Sequence, residues 1–202
     1  MLFRSCCILV ASLIGNTFIG IIVYQAKAMQ KAINFFIVNV AMSDLLFTIF
    51  YIPFCLANMY ADSWLITGPF GQVLCKVVGF LPNISITVSI QSLVLIAVDR
   101  FGAVVFPLRS PLISSKLCPF FIVATWIIAM ATFSPFLLSL KLVHYPGKPA
   151  CLLRWSETFG DNSSLLTFIL ATQVIFLYIS VTFLIIIYSI ILMKLKIGRA
   201  HV

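Results

Sequence analysis

The sequence predicts an all-α membrane protein with five spans and its N-terminus outside. Three observations carry that expectation. Apolar residues make up 62% of the 202 residues and charged residues 9%, against about 45–50% and about 25% in ordinary soluble domains. Five apolar stretches are each long enough to cross a hydrocarbon core of about 30 Å, which takes about 20 residues of helix. The basic residues gather between those stretches and hardly at all within them. A water-soluble fold with so few charges lacks the polar surface to cover itself.

The stretches run from Ser5 to Ala26, Ala32 to Ala61, Val77 to Val98, Leu117 to Leu140 and Asn162 to Met193. Asp44 is the one charge in all five. With their interfacial ends the spans cover residues 5–26, 32–61, 73–104, 117–140 and 162–195. A backbone in lipid must satisfy its own hydrogen bonds, so each run is expected to be a helix. Barrel strands need only about ten residues each, with alternating polarity. The first run is too long for a signal peptide, and Lys27 and Lys31 follow it as a stop-transfer flank.

Loop charges set the orientation. One side carries Lys27 and Lys31, then Arg109 and Lys116, then Lys194, Lys196 and Arg199, with no acidic loop residue. The other mixes Arg4, Lys141, Lys148 and Arg154 with Asp62, Glu157 and Asp161. The positive-inside rule places the first set in the cytoplasm. The net charge of +8 is explained by these clusters, and no nucleic-acid partner is expected. The lipid bilayer is the partner the composition demands.

Six cysteines are present, without CxxC or Cys/His metal spacing, and His144 and His201 are the only histidines. Cys6, Cys7, Cys55 and Cys118 lie in apolar runs and read as small buried hydrophobes. Cys75 and Cys151 lie at loop edges. No nucleophile–base pair or metal set points to an enzyme. In the outer loop, roughly Lys141 to Asp161, Pro146-Gly147 marks a turn between short mixed segments, the pattern of a β-hairpin. Asn162-Ser163-Ser164 is a glycosylation sequon on that side, whereas Asn83-Ile84-Ser85 lies inside a span, beyond reach of the machinery.

Polar groups within spans are costly, about 2.5–3.5 kcal/mol for an Asp at a helix centre, and are read as functional by default. Asp44 is therefore expected to face polar partners or water inside the bundle. Ser85, Ser89 and Ser92 share a face of the third helix by their 3–4 residue spacing. Asn16, mid-span in the first helix, reads as helix–helix glue. Asp99-Arg100 closes the third span and, taken alone, fits an interfacial anchor.

Taken together these residues resemble the rhodopsin-like family of G-protein-coupled receptors across most of the chain. Gly15-Asn16 lies in the first helix and Asn39-Val40-Ala41-Met42-Ser43-Asp44 in the second. Phe70-Gly71 precedes Cys75, and Asp99-Arg100-Phe101 follows, with 25 residues from Cys75 to Arg100. Pro107-Leu108 comes next, then Trp126 and Pro135 in the fourth helix, Cys151 in the outer loop and Tyr188 in the fifth helix. Each element is weak alone; their order and spacing make the set specific.

The resemblance implies a seven-helix receptor bundle, of which residues 1–196 supply the first five helices. It implies a disulfide between Cys75 and Cys151. Asp99, Arg100, Phe101, Pro107, Leu108 and Tyr188 would act in switching and in contact with a heterotrimeric G protein, Arg100 pairing with Asp99 at rest. Asp44 and Ser89 would form part of a sodium site; no other cofactor is implied. The ligand pocket would include Pro82, Asn83 and Ile86 on the third helix and Thr172, Gln173 and Phe176 on the fifth. Pro82 stands where amine receptors carry Asp, and Cys151-Leu152-Leu153-Arg154-Trp155 is similar to peptide receptors, so a peptide ligand is favoured over lipid or opsin-like sensing. Phe101 replaces the usual Tyr, Ser180 replaces the fifth-helix Pro, and Trp64 lies further upstream than the family's loop Trp. The sixth and seventh helices are expected in a longer message, and Ile197 to Val202, one frame of a sequencing adapter, reads as a non-native tail. The alternative is a non-signalling multi-span protein, either a transporter or a truncated regulatory receptor isoform.

Overall fold

A computed structural model describes residues 2–26, 31–60, 64, 66–107, 112–145 and 148–200, with side chains left aside at 2–4, 58–60, 144–145 and 197–200. Lys27, Asp62, Leu108, Arg109 and the Pro146-Gly147 turn lie outside the described residues, as do His201 and Val202 of the expected tail.

Among the described residues five helices are long and apolar enough to cross a membrane, as the composition predicts. The elements in order are α1 (Leu2–Gln25), α2 (Ala32–Tyr60), α3 (Gly68–Val105), α4 (Cys118–Ser139), β1 (Leu140–Tyr145), β2 (Lys148–Leu153), α5 (Trp155–Phe159), α6 (Leu165–Gln173), a π turn (Val174–Tyr178) and α7 (Ile179–Ala200). α6, the π turn and α7 run on as the fifth span. The third helix outruns its apolar core at both ends, because Lys76, Asp99 and Arg100 extend it beyond the uncharged run. Ser164 opens α6 as an N-cap, its hydroxyl accepting the Thr167 N–H at 3.3 Å.

α3 is the axis of the bundle, packed against α2, α4, β1 and α7, while α1 packs on α2. Small side chains allow the closest approaches. A Cβ on Gly79 would strike the Leu140 side chain where the hairpin begins, and one on Gly102 would strike Leu112 beside the Arg100 end of α3. Four small apolar clusters fill the interfaces. Ala32, Phe36, Ile113 and Cys118 join α2 to α4, and Ile84, Val88, Ala129 and Phe133 join α3 to α4. Trp64, Cys75 and Leu140 lie under the hairpin, and Ala97, Ile187 and Ile191 join α3 to α7.

The expected hairpin is present, with Leu140 opposite Leu153 and Leu142 opposite Cys151. A single turn, α5, follows it, too short for any periodicity in the sequence to mark. In the fifth span the irregularity occurs without a proline. The Ile179 N–H reaches back five residues to the Val174 carbonyl. One turn earlier the Thr172 hydroxyl donates to the Phe168 and Ile169 carbonyls, at 3.0 and 2.9 Å, and so competes with the backbone ladder.

Candidate functional site

The site begins with what fixes the hairpin. Cys75 of α3 is bonded to Cys151 of β2, with their Cα atoms 5.6 Å apart. One turn before Cys75, the Gln72 side chain reads the hairpin edge: Nε2 donates to the Leu140 carbonyl at 3.3 Å and Oε1 accepts the Leu142 N–H at 2.9 Å. The Trp64 N–H donates to the Pro149 carbonyl at 2.7 Å and the Arg154 N–H to Ser139 at 2.7 Å. Trp64, despite its upstream position, is buried against Cys75 and Leu140, with its ring 5.6 Å from Phe54. The hairpin is thus held at four points along its length.

Beneath that end, α3 and the fifth span enclose a cavity of about 60 Å³. Asn83 and Ile86 line it from α3, and Thr172, Gln173 and Phe176 from the fifth span. Pro82 does not line it: it is buried in α3 one turn nearer the hairpin than Ile86. Thr87, Ile90, Phe133 and Leu177 complete the lining. Thr87 and Ile90 were not among the expected pocket residues; the 3–4 residue spacing that repeats the face of Asn83 is the signal that would have found them. Phe133 comes from α4, and no local pattern places it there. It anchors an aromatic group, with ring centroids 6.4 Å from Phe168 and 6.5 Å from Phe176, and Trp155 lies 5.0 Å from Phe168. Glu157 joins Lys141 and Arg154 at 3.2 Å each at the rim. Asn162 is exposed in the turn before α6.

Deeper in the bundle the polar residues meet. Ser89 donates to the Asp44 carboxylate at 3.1 Å and shares a 2.6 Å hydrogen bond with Ser43. Asn39 knits three helices: its Nδ2 donates to Ser92 at 2.9 Å and to Thr125 at 3.4 Å, while its Oδ1 accepts the Trp126 indole N–H at 2.8 Å. Sequence motifs name Asn39 and Trp126; only the fold shows them as one network. Ser85, on the same face of α3, is buried with no partner among the described residues. Asn16 bonds Ser12 within its own helix, and it is Ser12 that crosses to Thr48 of α2 at 2.7 Å. The glue role expected of Asn16 therefore acts through Ser12.

At the opposite end of α3, Arg100 is exposed, next to Asp99 in the chain. Ion pairs within 4 Å among the described residues are those of Glu157, so Asp99 and Arg100 stand adjacent without closing one. Phe101 packs on the Ala97, Ile187 and Ile191 cluster and meets Phe106 edge to face at 6.4 Å. Pro107 and Tyr188 are exposed, and Leu108 lies outside the described residues.

Five apolar helices, a hairpin bonded to the third and a cavity beneath it make a helical membrane bundle. The model of the 7 transmembrane receptor (rhodopsin family) matches residues 15–200, and the chain belongs to that family. The transporter reading falls with this membership. The chain is similar to the RYamide receptor of Tribolium castaneum, at 37% identity over 63% of this chain and 34% of that protein. It is similar to neuropeptide FF receptor 2 of Mus musculus at 40% over 63% and 30%. The match to neuropeptide Y receptor type 1 of Xenopus laevis is 34% over 81% and 46%. The chain thus spans from about a third to just under half the length of these relatives.

Proposed function

We propose that this chain supplies the first five helices of a plasma-membrane receptor that senses an extracellular peptide and activates a heterotrimeric G protein. One observation carries the reading: α3 runs unbroken from the cavity beneath the hairpin to Asp99-Arg100-Phe101. From Asn83 to Arg100 is 17 residues of one helix, about 25 Å. A ligand that moves α3 at one end therefore acts on the charged pair at the other. Peptide sensing is supported by the names of the two vertebrate relatives, both neuropeptide receptors, and by Pro82 where an ammonium would need a carboxylate. Pro107, Leu108 and Tyr188 would complete the G-protein face with Arg100 and Phe101. Asp44 and Ser89 present hard oxygen donors side by side, which suits a sodium ion held between them.

The test is Arg100→Ala in a full-length receptor carrying this sequence, with neuropeptide FF and neuropeptide Y as trial agonists. Peptide-driven nucleotide exchange should fall by about tenfold or more while peptide affinity stays within about threefold, the signature of a group used in the activated complex alone. Undiminished exchange would return Asp99-Arg100 to an interfacial anchor.

In this reading the N-terminus and hairpin face outward. Asn162 should then carry a glycan that Asn83, inside the α3 span, cannot. A glycosidase-sensitive gel shift should vanish in Asn162→Gln; its survival would contradict the orientation.

A further inference from the structure

The hairpin has two edges, and its register says which backbone groups face each. In an antiparallel pair the N–H and C=O of one residue point to the same side, and that side alternates along the strand. The Gln72 side chain meets the Leu140 carbonyl and the Leu142 N–H from outside the pair, so Leu140 and Leu142 face outward. Their partners on β2 are Leu153 and Cys151, which therefore turn their N–H groups away from β1. Two contacts agree. Trp64 reaches the Pro149 carbonyl from outside the hairpin, whereas the Arg154 N–H, one residue past Leu153, points inward to Ser139. A proline at 149 fits as well, since an outward position owes the ladder no N–H.

The two edges differ in use. That of β1 is taken up by Gln72. On that of β2, the N–H and C=O of Cys151 and the N–H of Leu153 have no hydrogen-bond partner among the described residues. β2 runs from Trp64, in the connection between α2 and α3, to Trp155, whose ring lies 5.0 Å from Phe168 of the fifth span. Its open stretch thus crosses the outer end of α3, where Cys151 is bonded to Cys75. The Cys151 and Leu153 side chains pack down on the Trp64, Cys75 and Leu140 cluster.

The spacing decides what can complete that edge. A side chain satisfies one or two such groups, as Gln72 does. Donors and acceptors that repeat every two residues, about 7 Å, match another extended backbone. Between the hold of Trp64 and the turn into α5 there is room for about two or three residues of added strand. That is too short for a further sheet and sufficient for a stretch of peptide, whose alternate side chains would point down toward the bundle.

We propose that the peptide sensed by this receptor is received as a third strand on the outer edge of β2, its backbone hydrogen-bonded to Cys151 and Leu153. The inference rests on the peptide reading above and adds the mode of capture.

The test measures binding alone, in a full-length receptor carrying this sequence, with neuropeptide FF and neuropeptide Y as probes. Without peptide, the Cys151 and Leu153 amide protons should exchange at least about tenfold faster than those of Ala150 and Leu152, which bond to β1. Bound peptide should slow the first two at least about tenfold and leave the other two unchanged. Leu153→Pro removes an outward N–H and spares the ladder, so affinity should fall about tenfold, while Leu153→Val, which keeps the N–H, stays within about threefold. The exchange rates are read on the parent, so misfolding of the proline variant cannot protect the proposal. Cys151 and Leu153 amides as slow as their neighbours before peptide is added would overturn it, because another part of the chain would then cover the edge. Peptide that binds and leaves both rates unchanged would also overturn it, with peptide sensing left standing. Failure of both peptides to bind would remove the peptide reading and this inference together.

Discussion

The fifth span is the most apolar of the five, yet only 11% of its apolar window is buried within the protein; α3 is the least apolar and 39% of its window is buried. α1 resembles the fifth span, with 6% buried. Part of the difference is position, since the sixth and seventh helices of the proposed bundle would cover faces of α1 and the fifth span that are open here; the rest has a physical cause. Lipid solvates a leucine as well as another leucine does, so apolar surface gives helices no reason to meet in a bilayer. Polar and small side chains do. α3 carries Ser89 and Ser92, both bonded to α2, and Gly79 and Gly102, which admit close neighbours. Hydropathy therefore tells which segments cross, and the polar exceptions tell which of them touch. The centre of the bundle should respond strongly to loss of a single polar tie, and its flanks weakly.

The strongest tie is covalent. Removing it with Cys75→Ala and Cys151→Ala together should give the largest loss of stability among these changes. The loop it closes spans 76 residues, for which chain entropy gives about 4–5 kcal/mol, an upper figure for helices already confined by a bilayer. Melting of the purified protein, with and without reductant, measures it. A reductant-sensitive midpoint in the parent and none in the double variant is the expected pair. A parent indifferent to reductant would place the hairpin's stability in Gln72 and the Trp64–Pro149 hydrogen bond instead.

Next comes the knot at Asn39. Asn39→Leu leaves the half-buried Trp126 indole N–H without its acceptor and Ser92 and Thr125 without their donor. An orphaned buried group costs about 1–3 kcal/mol, though interhelical hydrogen bonds in membranes average only about 0.6. A loss of about 2 kcal/mol is expected for the whole knot. The cycle Asn39→Leu, Trp126→Phe and the double variant should show coupling, because the double variant orphans less than the sum of the two. Strict additivity would mean that the three helices are held by packing, at Phe36 and Cys118 between α2 and α4 and at Ile84, Val88 and Ala129 between α3 and α4, rather than by the knot.

How far the sequence reached follows the same division. The spans were legible because each is a continuous run governed by the bilayer's thickness. The outer end of α3 was not: the helix starts at Gly68-Pro69, five residues before the expected 73, where no apolar run marks it. The hairpin was legible from Pro146-Gly147 and its flanks. The π turn was not: Ser180 offered no proline to mark it, and Thr172 acts through hydroxyl contacts that no periodicity records. Asn83, Ile86, Thr172, Gln173 and Phe176 came from resemblance and surround one cavity. Pro82 came the same way and faces into packing. Phe133 had no signal, since it owes its setting to helices distant in the chain.

The weakest tie is the most informative about the flanks. α1 reaches α2 through Ser12, whose hydroxyl shares a 2.7 Å hydrogen bond with Thr48 and also accepts from Asn16 at 3.1 Å. Ser12→Ala removes that crossing. Thr48 can turn its hydroxyl to its own helix backbone, and Asn16 keeps the Ser12 carbonyl at 3.0 Å, so neither partner is stranded. The loss should then approach the membrane average of about 0.6 kcal/mol, a shift of about 1–3 °C in a protein of this size. Exchange of amide protons in α1 should quicken while those of α3 stay unchanged, because a flank can loosen without opening the centre. A shift as large as that of Asn39→Leu would make Ser12–Thr48 part of the central network, and the contrast between α1 and α3 would then be one of exposure to lipid and not of attachment.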